Sequence, residues 1–160
     1  MEAGREYNTV DMSEWRLRSI YLPPFQAALS EGCASVMTAF NTLNAIPASC
    51  HPLLLDRILR REWHFEGMVV TDYTAIMELE QHGVAADASE ASRKAVNAGV
   101  DMDMQSGYFI DTLSELVHAG QVEEARIDEA VRRILWLKAA LGLFDDPYRY
   151  ADTCLLYTSP

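Results

Sequence analysis

The sequence predicts an α/β fold in which parallel strands alternate with helices, and three observations predict it. Three short apolar runs, residues 34–40 (ASVMTAF), 68–71 (MVVT) and 100–104 (VDMDM), are each followed by turn or polar residues and read as strands. Segments of helical spacing separate them. The runs recur every 32 to 34 residues, the length of one strand with its crossover helix, so the strands are expected to be parallel.

The elements follow in order. Ser13 is a good N-cap, and Trp15, Leu17, Ile20 and Tyr21 mark the helix behind it. Pro23-Pro24 break or restart that helix before residues 25–29, because proline lacks the N–H that a helix interior needs. Leu54, Ile58 and Leu59 mark a helix before the second strand, and Ala91, Ala95 and Val96 one before the third. Gly67 and Gly99 stand directly before those strands, where a helix must stop and a positive φ is available. Residues 110–116 form a helix that ends at Gly120. Ile127, Val131, Ile134, Leu135 and Leu141 mark a long amphipathic helix ending at Gly142. The expected order is αβαβαβα over one domain, residues 1–150. Residues 151–160 follow the turn-rich Asp145-Asp146-Pro147 without periodicity and are excluded from the fold. Three parallel strands do not close a sheet, which needs both faces covered and its edges protected, so further chain is expected around them.

At 160 residues and 49% hydrophobic content the chain is long and apolar enough to bury a core. Twenty-four acidic against thirteen basic residues give a formal charge of −11, which repels a phosphate backbone and argues against a nucleic-acid partner. The acids are spread over several helical faces, as on a solvated surface. Cys33, Cys50 and Cys154 have no C-x-x-C spacing, and His51, His64, His82 and His118 stand too far apart for a ligand pair on one helix, so neither disulfide nor metal is expected. No apolar run approaches the roughly 18 residues that span a bilayer, so no membrane partner is expected. Residues 1–6 lack the apolar core of a signal peptide.

Sites in parallel α/β proteins gather at the C-terminal ends of strands, which selects Phe40-Asn41, Asp72-Tyr73 and Met104-Gln105-Ser106. Asp72 is the one ionisable residue that immediately ends an apolar run. A charge there costs desolvation unless hydrogen bonds or a substrate offset it. Position alone leaves two roles open, chemistry or capping of the turn at residues 74–76. Asp101 and Asp103 alternate with apolar residues on one strand face. They either pair with a cation on a neighbouring strand or orient site residues. Tyr73 and Phe40 are rim hydrophobes or aromatic platforms for a pyranose ring.

Several ordered segments carry a family resemblance. GREYNTVDMS at residues 4–13, MTAFN at 37–41 through IPA at 46–48, and EWHFEGMVVTDY at 62–73 resemble glycoside hydrolase family 3, the periplasmic or secreted β-glucosidase type. GVDMDM at 99–104, AVRRIL at 130–135 and GLF at 142–144 continue the likeness, which reaches about residue 150. Thr71 and Tyr73 replace the commoner Ser and Trp, and His64 stands where Gly is usual.

The resemblance implies strands six to eight, with their helices, of a TIM-like (β/α)8 barrel. It implies that Asp72 is the nucleophile of a retaining β-glucosidase acting on terminal non-reducing β-D-glucosyl units of a β-glucoside or oligosaccharide, and that no cofactor takes part. Tyr73, Phe40 and Met37 are the implied substrate-binding residues. The groups that hold the glucosyl hydroxyls are implied to lie upstream of Met1. The acid/base glutamate is implied to lie in an α/β sandwich domain downstream of Pro160, so the 160 residues alone are expected to be inactive. Periplasmic or secreted localisation is implied too. β-Xylosidase and β-N-acetylglucosaminidase activities of the same family are the near alternatives. A non-catalytic truncated product and a phospho-accepting receiver domain are the alternatives of other classes. A receiver requires an early acidic pair and a late Lys, and neither follows the runs here.

Overall fold

The computed structural model describes residues 7–149 and Ala151, so the segments 1–6 and 152–160 and Tyr150, with the start of the GREYNTVDMS likeness and most of the excluded tail, lie outside the described residues. The predicted α/β alternation is present. Strand β2 (Ser35–Met37) pairs in parallel with β5 (Met68–Val70), with Met37 opposite Val70. Val70 makes a parallel bridge to Met102, so the three apolar runs lie side by side in chain order.

The third run is not a regular strand. The N–H groups of Asp101 and Met102 both donate to the Val69 carbonyl (2.9 and 3.1 Å), while the Val69 N–H donates to the Asp101 carboxylate (2.9 Å). Two residues therefore oppose one, as in a bulge, and a side chain takes the ladder bond that a backbone carbonyl would accept.

A second small sheet was not predicted. β1 (Thr9–Val10) pairs in parallel with β3 (Thr42–Leu43), which forms a hairpin with β4 (Ile46–Pro47). Both turn residues, Asn44 and Ala45, have positive φ (50° and 65°), as a two-residue hairpin loop of matching twist requires. The Asn44 side chain accepts the Met12 N–H (2.9 Å) and donates to the Met12 carbonyl (3.0 Å), tying the turn to the segment after β1.

Ser13 caps the first helix as predicted, its hydroxyl accepting the Arg16 N–H at 3.2 Å. The chain runs through α1 (Glu14–Arg16), a π-wound turn (Leu17–Tyr21) and α2 (Leu22–Ser30). Pro23 and Pro24 fall in the first turn of α2, directly after the π-wound turn, so the helix restarts there rather than ending. A π-wound helix spans Leu53–Glu62; Trp63 at its end donates to the carbonyl of Ile58, five residues back. After β5 come α3 (Glu78–Gln81), α4 (Ala88–Ala98), α5 (Tyr108–His118) and α6 (Glu124–Ala140). Asp87 caps α4 by accepting the Glu90 N–H at 2.8 Å, and Glu90 reaches back to the Ala86 N–H at 2.9 Å.

Gly99 has the expected positive φ, 123°. Gly67 does not. Its role is close approach, since a Cβ there would strike the Ala34 carbonyl oxygen and the Phe65 ring. The main core packs Val69 of β5 among Leu55, Leu59, Ile76, Leu79, Ala91, Ala95 and Val100. Several large apolar side chains remain outside it, among them Trp15, Ile110, Leu135, Trp136 and Phe144. Among the described residues, no helix is long and apolar enough to cross a membrane.

Candidate active site

Strand β5 ends at Val70, and the next four residues turn sharply. Thr71 is fully buried, Asp72 half-buried and Tyr73 exposed. The Asp72 Oδ1 accepts the Tyr73 N–H at 2.7 Å, and the Asp72 carbonyl accepts the Ala75 N–H at 3.2 Å. The carboxyl is thus bonded to its own turn while standing at the strand's C-terminal end. The capping reading of Asp72 describes part of its environment, but a local turn bond does not require half-burial at a strand end.

Backbone conformation marks the same place. Thr74 has φ 60° and Gln105, on the neighbouring segment, φ 74°. A β-branched residue in the left-handed region is strained by about 1–2 kcal/mol, and such strain persists where surrounding bonds over-determine it, often at functional sites. Here the Thr74 N–H donates to the Met104 carbonyl (2.9 Å) and its hydroxyl to the Tyr73 carbonyl (2.6 Å).

The other predicted residues are distributed unevenly. Met37 ends β2 opposite Val70, beside the strand that carries Asp72. It also lines an apolar cavity of about 210 Å³ with Leu22, Phe25, Val36, Leu54 and Trp63, between β2 and the helices. Phe40 lies three residues further on and stacks on Tyr7, with ring centroids 4.6 Å apart and planes 16° from parallel. Tyr7 donates to Glu78 at 3.2 Å, bridging from the start of the chain to α3. Sequence reasoning passed over Tyr7 because it sits before any periodic segment.

Asp101 is the most enclosed charge near β5. Its side chain is wholly buried; Oδ2 accepts from Arg60 (2.7 Å) and the Val69 N–H (2.9 Å), and Oδ1 from Arg126 (3.0 Å) and Arg133 (2.9 Å). The pairing expectation for Asp101 therefore holds with a correction, since the cations come from helices 53–62 and α6 rather than from a neighbouring strand. Helices flank the sheet, and only their long arginine side chains reach a carboxylate at the strand's start. Burial pushes Arg60 down to about 10 against the opposing pull of Asp101. Asp103 instead accepts the Ser106 hydroxyl at 2.6 Å. Beside the arginine cluster lies a groove of about 320 Å³ lined by Arg60, Phe65, Arg132, Arg133 and Trp136, at the end of β5 away from Asp72.

Among the described residues no group of three or more His, Cys, Asp or Glu is placed to hold a metal ion. His51 is buried, and its imidazole is held below the ordinary histidine range by loss of hydration. Burial likewise pushes the Cys50 thiol up to about 11, which makes it an inert core residue.

Comparison with known proteins bears on the same region. The model of the glycosyl hydrolase family 3 N terminal domain matches residues 1–137. The periplasmic beta-glucosidase of Salmonella typhimurium is 47% identical over 150 residues, covering 94% of this chain and 20% of that protein. A beta-xylosidase of Formosa agariphila is 40% identical over 152 residues, covering 89% of this chain and 21% of that protein. The crystal structure of a beta-glucosidase from Listeria innocua in complex with glucose superimposes with a TM-score of 0.91 at 42% identity, over 99% of this chain and 22% of that one. The chain thus spans about a fifth of the length of the relatives it matches.

Proposed function

The chain belongs to glycosyl hydrolase family 3, and on that premise we propose that Asp72 is the nucleophile of a retaining β-glucosidase whose other catalytic groups lie in further parts of a longer protein. One observation carries the reading: Asp72 is a half-buried carboxylate at the C-terminal end of β5, on a turn held in strained backbone. Three parallel segments in chain order, each reached through helices, are what strands six to eight of a (β/α)8 barrel would present. The apolar side chains left uncovered on α6 agree with further chain packing there.

The chemistry needs two carboxyl groups about 5 Å apart. An Asp72 oxygen attacks the anomeric carbon as the glycosidic C–O bond breaks, and the departing oxygen takes a proton from the second carboxylic acid. That acid, now a base, removes a proton from water, and the water oxygen displaces Asp72 from the sugar. Two inversions return the β configuration. Tyr73, exposed beside the nucleophile, offers a face to the leaving-group sugar, and Phe40, stacked on Tyr7, and Met37, at the end of β2, are the further substrate contacts of this reading. No cofactor enters the scheme.

The substrate class is a terminal β-D-glucoside. The 40% identity to a beta-xylosidase favours a β-xyloside as the second reading. The Salmonella relative's name supports a periplasmic or secreted location. The test treats the full-length protein with a 2-fluoroglucoside and maps the labelled peptide by mass spectrometry. The label is expected on Asp72; a label on another residue overturns the assignment. The 160 residues alone are expected not to turn over an aryl β-glucoside, and turnover would mean that the chain carries its own acid.

A further inference from the structure

The buried hydroxyl of Thr71 has no part in the scheme above, yet it lies next to the residue that does. We infer that Thr71 is a positioning residue, whose hydroxyl fixes the Asp72 backbone by holding the Met104 peptide. This rests on the reading of Asp72 as nucleophile and goes beyond it.

The bonds define a clip. The Thr71 N–H donates to the Met102 carbonyl at 3.0 Å, and the Thr71 Oγ1 accepts the Met104 N–H at 2.9 Å. Two residues past Asp72, the Thr74 N–H donates to the carbonyl of the same Met104 at 2.9 Å. Residue 104 is thus gripped through its N–H from one side of Asp72 and through its carbonyl from the other. On the far side of β5, the Thr38 N–H donates to the Val70 carbonyl at 3.0 Å, which stops the pairing with β2 one residue short of Thr71. Beyond that point the bonds to Met102 and Met104 hold the Asp72 backbone against the neighbouring segment, beside the local turn bonds that Asp72 makes to Tyr73 and Ala75.

A backbone ladder would not produce this arrangement. The ladder ends as the Met102 segment diverges, and the Met104 N–H points at a side chain. Thr71 is wholly buried, so its hydroxyl has no water to exchange with. Losing it leaves a part-buried N–H without an acceptor and frees the Thr74 turn to relax from φ 60°. A carboxylate that must attack at near-bond distance is sensitive to such a shift; about 1 Å of misplacement costs on the order of a hundredfold in rate.

The test uses the full-length protein with Thr71→Val, which keeps the shape and removes the hydroxyl, and Thr71→Ser, which keeps the hydroxyl. Trapping by a 2-fluoroglucoside reads the attack step as a limiting rate and an inhibitor binding constant. T71V is expected to slow the limiting rate about 10- to 100-fold. Its binding constant should stay close to wild type, and T71S should restore the rate to near wild type. A wild-type rate in T71V overturns the inference, as does an equal loss in T71S, which would make the methyl group responsible. If T71V does not fold, Thr71→Ala removes the same hydroxyl and carries the same expectation. Failure of both to fold beside an active T71S would make the hydroxyl a folding requirement and overturn the positioning role. A label away from Asp72 in the wild type would remove the nucleophile reading instead, and with it the premise. A label on Asp72 with T71V unimpaired removes only the inference.

Discussion

Replacing Asp101 by asparagine keeps the volume of the side chain and removes its charge. The aspartate oxygens face four donors: Arg60 and the Val69 N–H on Oδ2, Arg126 and Arg133 on Oδ1. Asparagine has one oxygen, so whichever way it turns, its NH2 group meets two donors and two bonds are lost. If Oδ1 is the oxygen lost, both bonds are charge-assisted, each contributing about 1.5–3 kcal/mol. The three arginine side chains are only 12%, 16% and 21% exposed, so water offsets little of the loss. Removing one partner of a buried charge pair costs about 3–5 kcal/mol, and we expect D101N to fall in that range. At a urea dependence of about 2 kcal/mol/M, the unfolding midpoint should drop by roughly 2 M. Arg133→Met is the control. It removes one of the four bonds to Asp101 and a longer 3.4 Å contact with Glu129, but also relieves repulsion between cations, since Arg126 and Arg133 both push Arg60 down. Its cost should be only about 1 kcal/mol. Urea unfolding followed by tryptophan fluorescence checks both. D101N within about 1 kcal/mol of wild type, or R133M as costly as D101N, would refute the reasoning.

Gly67→Ala drives a methyl group against the Ala34 carbonyl at the start of the β2–β5 pairing and should destabilise by about 1–3 kcal/mol, read as a loss of thermal midpoint. Asp87→Ala removes the cap of α4 and should cost about 1 kcal/mol in urea unfolding, with Asp87→Ser recovering most of it. His51 gives a pH dependence of definite sign. Its folded pKa is lowered from 6.5 by burial, so below that value the unfolded chain takes up a proton that the native state refuses. Its contribution is fully present above 6.5 and is lost as pH falls toward the folded value. Urea midpoints between about pH 7.5 and 5 should therefore decline, and His51→Gln should flatten the decline; an unchanged slope would remove His51 as its source.

The readable parts of the fold were those built on local chemistry. Ser13 and Gly99 act through their own backbone, and the apolar runs of β2 and β5 pair where expected. Gly67 was legible as a required glycine, but the reason is a carbonyl from a strand thirty-odd residues earlier, which no local pattern encodes. The hairpin of β3 and β4 was missed because its strands have two residues each and its turn reads Asn-Ala rather than Asn-Gly. The alternation in residues 100–104 signalled a strand, and the buried Asp101 carboxylate turned it into a bulge. Asp72 stood out as a charge ending an apolar run. The surrounding clip did not, because it is made of main-chain atoms of Met102 and Met104 whose identity leaves no mark in the sequence.

The arginine cluster also constrains synthesis in time. Arg60 leaves the ribosome 41 residues before Asp101, whereas Arg126 and Arg133 follow it by 25 and 32 residues. For that interval the nascent chain holds one counter-ion for a carboxylate that the finished fold surrounds with three. Burying Asp101 at that stage would strand half of its acceptor capacity, so its full set of partners exists only once α6 has been made. The order of residues along the chain thereby splits one buried charge cluster between an early partner and two late ones.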